Sequence, residues 1–143
     1  MAALTLWGSR LMKNELLKTV DELPVTGFAI GNDLVFLPDF ETSLTHLFKK
    51  KAYTANEISF CDAFANSLLR YASTWAAKEA VYKALKQLSP APLTWKKIEI
   101  IRDKIAGKPS VLLHTDPGKY QISLSISHDG DYVWALAFIQ LNN

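Results

Sequence analysis

Three side chains have types and spacing that could do chemistry. Glu79 and Lys83 stand four residues apart in the stretch from Trp75 to Leu88, WAAKEAVYKALKQL, and Asp33 interrupts an apolar run, FAIGNDLVF, from Phe28 to Phe36. At about 100° per residue, Ala77, Val81, Ala84 and Leu88 share one helix face, and Glu79, Lys83 and Lys86 gather on the other. A Glu→Lys step one turn apart is either an ordinary surface pair, worth a few tenths of a kcal/mol, or an acid and a cation presented to a ligand. An acid in a strand-like run must be paired, metal-bound or at the strand's end. Gly31 removes a side chain where a neighbouring group approaches closely, and an Asn32-Asp33 turn closing the strand is the alternative. Basic residues concentrate between Lys78 and Lys108, a field that suits a phosphate-bearing ligand and equally describes a solvated lysine-rich surface.

The elements that must position these groups follow from periodicity. At 143 residues and 49% hydrophobic, the chain suits one soluble domain. No apolar run approaches a membrane span and no signal peptide is evident, so the cytoplasm is the default expectation. A net charge of +2 gives no argument for nucleic acid. Residues 1–26 form an added arm, with Leu16, Val20 and Leu23 giving a short amphipathic helix, and the domain proper is residues 27–143. The run from Phe28 is a strand interrupted at Gly31-Asn32-Asp33. Pro38 opens a helix with an apolar stripe of Phe40, Leu44, Leu47 and Phe48, ending in Lys49, Lys50 and Lys51. Thr54-Ala55-Asn56-Glu57 is a capping box for a second helix carrying Ile58, Cys61, Ala65, Leu68 and Ala72. Ser73 or Thr74 caps the third, from Trp75, so the two meet at a kink or tight corner. Cys61, the single cysteine, reads as a small buried hydrophobe.

Beyond Pro90 and Pro92 the period changes to two. Ile98 to Ile101 and Val111 to His114 are strands joined through Gly107-Lys108-Pro109. Gln121 to Ser127 alternates Ile122, Leu124 and Ile126 with Ser123, Ser125 and Ser127, leaving His128 at the strand's end. Asp129-Gly130 suits a type I′ hairpin turn, and the strand from Tyr132 to Ile139 is apolar on both faces, so both need covering. The order is one strand, three helices and two hairpins: an α+β fold with helices laid on a mainly antiparallel sheet.

Taken together, IGNDLV, WAAKEAVYKAL, GKP and SISHDGDYVWALAFI, in that order, resemble the holo-acyl-carrier-protein synthase type of 4′-phosphopantetheinyl transferase over about residues 27 to 140. The resemblance implies transfer of 4′-phosphopantetheine from coenzyme A to a serine of an acyl or peptidyl carrier protein, in fatty acid biosynthesis, with release of adenosine 3′,5′-bisphosphate. It implies that Asp33 and Glu79 hold magnesium, that Lys83 contacts phosphate, and that Lys108, Pro109 and His128 lie on the nucleotide-binding surface. It also implies a homotrimer whose sites are shared between neighbours. Magnesium commonly takes one or two carboxylates and fills its octahedron with water and phosphate oxygens, which suits an acid from each of two elements.

Three departures from the family pattern stand out. Gln87-Leu88-Ser89-Pro90 replaces a Gly-rich loop after the helix, Thr74 stands where an arginine is common, and Asp39 and Glu41 stand where the first helix usually presents arginine. The competing readings are a non-catalytic nucleotide- or carrier-protein-binding module and a structural protein whose Glu79 and Lys83 are surface charge.

Overall fold

The computed structural model describes residues 14–15, 27–103 and 107–143; the expected arm helix at Leu16–Leu23 lies outside them. The ordered elements run β1 (Phe28–Phe36), α1 (Leu37–Ser43), α2 (His46–Ala52), α3 (Ala55–Asp62), α4 (Ser67–Leu88), a 3₁₀ turn (Trp95–Lys97), β2 (Ile98–Arg102), β3 (Pro109–Leu113), β4 (Tyr120–Asp129) and β5 (Tyr132–Leu141). A three-stranded sheet has the order β1-β5-β4, a two-stranded sheet pairs β2 with β3, and every ladder is antiparallel. The α+β architecture and both hairpins are as expected from the sequence.

β1 differs from the expectation. It runs unbroken through Gly31-Asn32-Asp33, in register with β5 from Phe28↔Gln140 to Phe36↔Tyr132. Strict alternation turns Ala29, Gly31, Asp33 and Val35 inward and leaves Phe28, Ile30, Leu34 and Phe36 exposed. The acid is tolerated mid-strand because a cation reaches it from the neighbouring helix.

Helix boundaries also shift. The helix opened by Pro38 ends at Ser43, and Thr45 starts a new one by accepting a hydrogen bond from Phe48 N at 3.1 Å. Phe40 is buried by this arrangement while Leu47 points to solvent. The capping box forms as read, with Thr54 Oγ1 accepting from Glu57 N at 3.2 Å and Glu57 Oε1 accepting from Thr54 N at 2.8 Å. The helix it opens stops at Asp62, and Asn66 caps the next by accepting from Leu69 N at 3.3 Å. Leu68 and Ala72 therefore belong to α4, a helix about 33 Å long. Ser73 and Thr74 lie inside it and spend their hydroxyls on the carbonyls one turn back, Leu69 O at 2.7 Å and Arg70 O at 2.9 Å.

α4 is the element on which the domain is built. Ala76, Ala77, Ala80, Val81 and Ala84 are fully buried, and side chains this small let the helix lie close on the sheet. Lys78 is buried too: its Nζ donates to Glu57 Oε1 and to Ile98 O, both at 2.6 Å, and Glu57 Oε2 accepts from Ile100 N at 2.9 Å. Burial lowers the Lys78 pKa and Glu57 opposes that shift. Cys61 is buried as expected, its thiol pushed up to about 11 by desolvation.

The other face of the β1-β5-β4 sheet carries Leu34, Phe36, Tyr132, Trp134 and Leu136 at the surface, with Phe28 stacked on Phe138 at 5.8 Å. One face of β5 is covered by α4; the other, with β1 beside it, is an open apolar surface bordered by the serines of β4. The β4–β5 turn places positive φ at Gly130, the first of its two loop residues, the pattern of a type II′ turn in place of the expected I′.

Candidate active site

β1 and α4 approach each other closely at Gly31. A Cβ built there would collide with the Ala80 carbonyl oxygen and lie 2.8 Å from Ala84 N. Two residues along the same strand face, this contact sets Asp33 against the helical turn that carries Glu79 and Lys83. Lys83 Nζ donates to Asp33 Oδ1 at 2.9 Å and to Asn32 O at 3.0 Å. Asp33 is nearly buried and Lys83 half exposed. Asp33 Oδ2 is buried with no hydrogen-bond donor.

Glu79 completes the cluster. Its pKa is pushed up to about 7, first by burial, then by hydrogen bonding to Asp33 and by the Asp33 charge, while Lys83 pulls it down. Burial and the neighbouring Asp33 charge both favour the protonated form of Glu79 while no cation is bound. The helical i,i+4 step is not an ion pair in the folded protein: Lys83 reaches across to Asp33. Two carboxyl groups in contact, one with a buried oxygen that lacks a donor, form an oxygen-rich point suited to a hard divalent cation. Among the described residues no group of three or more His, Cys, Asp or Glu gathers, so a cation here would draw its remaining ligands from water or substrate.

Where the family pattern has a Gly-rich loop, α4 runs to Leu88, as read from the sequence. Gln87 Nε2 donates to Ile30 O at 2.8 Å, tying the last turn to β1, and Ser89 N closes on Leu85 O at 2.9 Å.

The other candidate residues occupy a second place. Pro109 opens β3 and His128 lies near the end of β4, two strands from Asp33. Both line a groove of about 270 Å³ with Phe60, Arg70, Ser73 and Arg102. Lys108 is exposed on the turn before Pro109 and is not among the residues lining the groove. One chain therefore presents two separate clusters, the carboxylates of Asp33 and Glu79 and a groove lined by Arg70, Arg102 and Asp103. Arg70 and Arg102 escape sequence reading because 32 positions separate them and neither sits in a motif. The position of Thr74, where the family pattern has arginine, is reached in space by Arg102, whose Nη2 donates to Thr74 Oγ1 at 3.2 Å.

Comparison with known proteins assigns the family. The 4′-phosphopantetheinyl transferase superfamily model matches residues 29–137. The chain belongs to that superfamily. It is 41% identical to the holo-[acyl-carrier-protein] synthase of Chlorobaculum parvum over 93 residues, covering 65% of this chain and 79% of that protein. It is 33% identical to the Geobacter sulfurreducens synthase over 124 residues, covering 79% and 97% respectively. The solved Chronobacterium ammoniagenes ACPS–CoA complex superposes with a TM-score of 0.70 at 27% identity, over 81% of this chain and 98% of that one. This transferase is therefore of the holo-acyl-carrier-protein synthase type, with Asp33, Glu79 and Lys83 all inside the matched region.

Proposed function

We propose that this transferase moves 4′-phosphopantetheine from coenzyme A to a serine of an acyl carrier protein, with magnesium, releasing adenosine 3′,5′-bisphosphate. The observation that carries the reading is the buried Asp33, its Oδ1 paired with Lys83 and its Oδ2 without a donor, set beside the turn of α4 that bears Glu79. Coenzyme A as donor is supported by the related enzyme solved as its CoA complex.

Asp33 and Glu79 would hold the magnesium ion. When bound, it supplies positive charge to the pyrophosphate oxygens. Lys83 adds an ammonium on a flexible stem, placed to stay beside the phosphate as negative charge builds on the leaving group. The carrier serine Oγ forms the new bond to the phosphorus bearing the pantetheine arm. The bond from that phosphorus to the bridging oxygen breaks, and the electron pair leaves with adenosine 3′,5′-bisphosphate. In this reading Glu79 is ionised, as a carboxyl that holds a cation must be, and the serine proton passes to it by way of a water.

The apolar outer face of β1 and β5 supports a homotrimer in which each neighbour brings its groove of Pro109 and His128, with Lys108 beside it, toward the next chain's carboxylates. Acidic Asp39 and Glu41 on α1 leave Lys49, Lys50 and Lys51 of α2 as the positive surface for an acidic carrier protein. The reading treats residues 27–143 as the catalytic domain and places the reaction in the cytoplasm; among the described residues no helix is long and apolar enough to cross a membrane.

The test is intact-mass spectrometry of apo-acyl carrier protein incubated with coenzyme A, magnesium and the protein. A phosphopantetheine adduct that is absent with Glu79→Gln supports the reading. Coenzyme A binding without modification of any carrier protein favours a binding module instead.

A further inference from the structure

The proposed reaction gives Lys83 one task, beside the phosphate, yet its ammonium is already engaged elsewhere. Lys83 Nζ donates to Asp33 Oδ1 at 2.9 Å and to Asn32 O at 3.0 Å, so both of these bonds go to β1. The two partners of the ion pair differ in freedom. Asp33 is nearly buried in mid-strand, paired with Ala135 of β5, and cannot follow a moving cation. Lys83 is half exposed, on a four-carbon stem that rotates without disturbing α4. Among the described residues no other cation pairs with Asp33, and its Oδ2 is buried without a donor. A divalent cation held by Asp33 and Glu79 would stand within a few ångström of the ammonium, and like charges sharing one carboxylate repel strongly at that range.

We propose that Lys83 is an exchangeable counter-cation: it neutralises Asp33 in the magnesium-free enzyme and turns to the donor's phosphate when the metal binds. The assignment rests on the proposed metal and donor. Its basis is charge balance at a partly buried point. Asp33 and ionised Glu79 carry two negative charges, which one divalent cation cancels, and the lysine charge is then free to meet a phosphate oxygen. While Lys83 stays on Asp33, that charge is spent inside the protein and the donor meets less of it. Magnesium and donor therefore strengthen each other's binding through Lys83, in addition to any direct bond between metal and phosphate. A permanent phosphate clamp would behave otherwise, contributing the same donor affinity with or without the metal. Lys86, three residues on, serves as the reference for charge alone: its Nζ donates to Ala91 O at 2.6 Å and forms no ion pair with Asp33.

The experiment is calorimetry without carrier protein, at a pH well above the Glu79 pKa of about 7, so that Glu79 is ionised in every variant. Magnesium chloride is titrated into the metal-stripped wild type, Lys83→Met and Lys86→Met. Coenzyme A is then titrated into each, once with a chelator and once with saturating magnesium. Lys83→Met is expected to bind magnesium alone about tenfold more tightly than the wild type, the low end for a bond to a charged group because Lys83 is half exposed. With the chelator the two bind coenzyme A equally; with magnesium the wild type binds it about tenfold more tightly than Lys83→Met. Lys86→Met stays close to the wild type in every titration. A magnesium affinity that is unchanged or weaker in Lys83→Met, or raised equally in Lys86→Met, overturns the exchange. So does an equal loss of coenzyme A affinity with and without the metal.

Circular dichroism establishes that each variant is folded. If Lys83→Met is not, Lys83→Gln, whose amide can still donate to Asp33, carries the test with the same direction in each titration. No transfer takes place in these measurements, so the exchange and the proposed reaction fail separately. A protein that modifies no carrier yet shows the magnesium gain in Lys83→Met upholds the exchange while the reaction falls. A protein that transfers phosphopantetheine without that gain keeps the reaction and loses the exchange. No magnesium binding to wild type or variant, with or without coenzyme A, overturns the exchange together with the metal site.

Discussion

Replacing Gly31 with alanine tests the contact on which the carboxylate site depends. Gly31 lies in ordinary strand conformation, so its backbone could accept alanine without strain. In an open strand the change would stabilise by about 0.5–1 kcal/mol, because glycine loses more conformational freedom on folding. Here the new methyl group meets the Ala80 carbonyl oxygen, Ala84 N at 2.8 Å and the Ala80 carbonyl carbon at 3.1 Å. All three are main-chain atoms of a helix and cannot rotate aside, so α4 must lift from β1. Overpacking of this kind costs about 1–3 kcal/mol, and a backbone obstruction puts Gly31→Ala at the upper end, for a net loss of about 2 kcal/mol. Urea unfolding followed by circular dichroism measures the loss directly. The same displacement draws Asp33 away from Glu79, so magnesium titration should show weaker binding. A variant as stable as the wild type, or more stable, would mean that strand and helix are not in close contact and that Gly31 does not set the Asp33–Glu79 spacing.

Other perturbations address separate parts of the molecule. Asp33→Ala should abolish magnesium-dependent transfer while the circular dichroism spectrum stays native; near-normal turnover would remove Asp33 from the metal site. In chelator-treated protein, the raised Glu79 pKa contributes stability that is complete below the ordinary value of 4.5 and is lost as pH rises through about 7. Urea midpoints should therefore fall across that window in the wild type and fall less in Glu79→Gln, and identical slopes would contradict the carboxyl contact. Leu34→Glu places a charge in the exposed apolar face of β1 without touching the core; for the proposed trimer, light scattering should show three copies in the wild type and a monomer in the variant, and an unchanged mass would exclude this face as the interface.

Local signals were the legible part of the fold. The Thr54–Glu57 capping box and the alternation of β4 are written within a few residues and form as read. Helix ends were less legible because a competing cap can appear inside an apolar stripe: Thr45 divides one expected helix, and Asn66 moves a boundary from Ser73 to Ser67. Asp33 looked like a strand end because its partner, Lys83, lies 50 positions away. Chain order and spacing singled out Asp33, Glu79 and Lys83 through the family resemblance, while the contact between the two carboxyls is a product of the Gly31 crossing. Arg70 and Arg102 had no local signature, and only the meeting of α4 with β2 makes them neighbours.

The buried Lys78 has a consequence for its neighbour in sequence. Its ammonium is held by Glu57 and by the main chain of β2, so α4 cannot roll about its own long axis without breaking those bonds. Glu79 follows immediately, about 100° further around the helix, and inherits that fixed heading toward β1. Lys78 thus works as the key that sets a dial: it never meets substrate, yet it determines where the adjacent carboxylate points. Enzymes that exchange substrates by remodelling loops could leave such a residue untouched, because the aim of the reactive group is anchored on a different face of the helix from the chemistry.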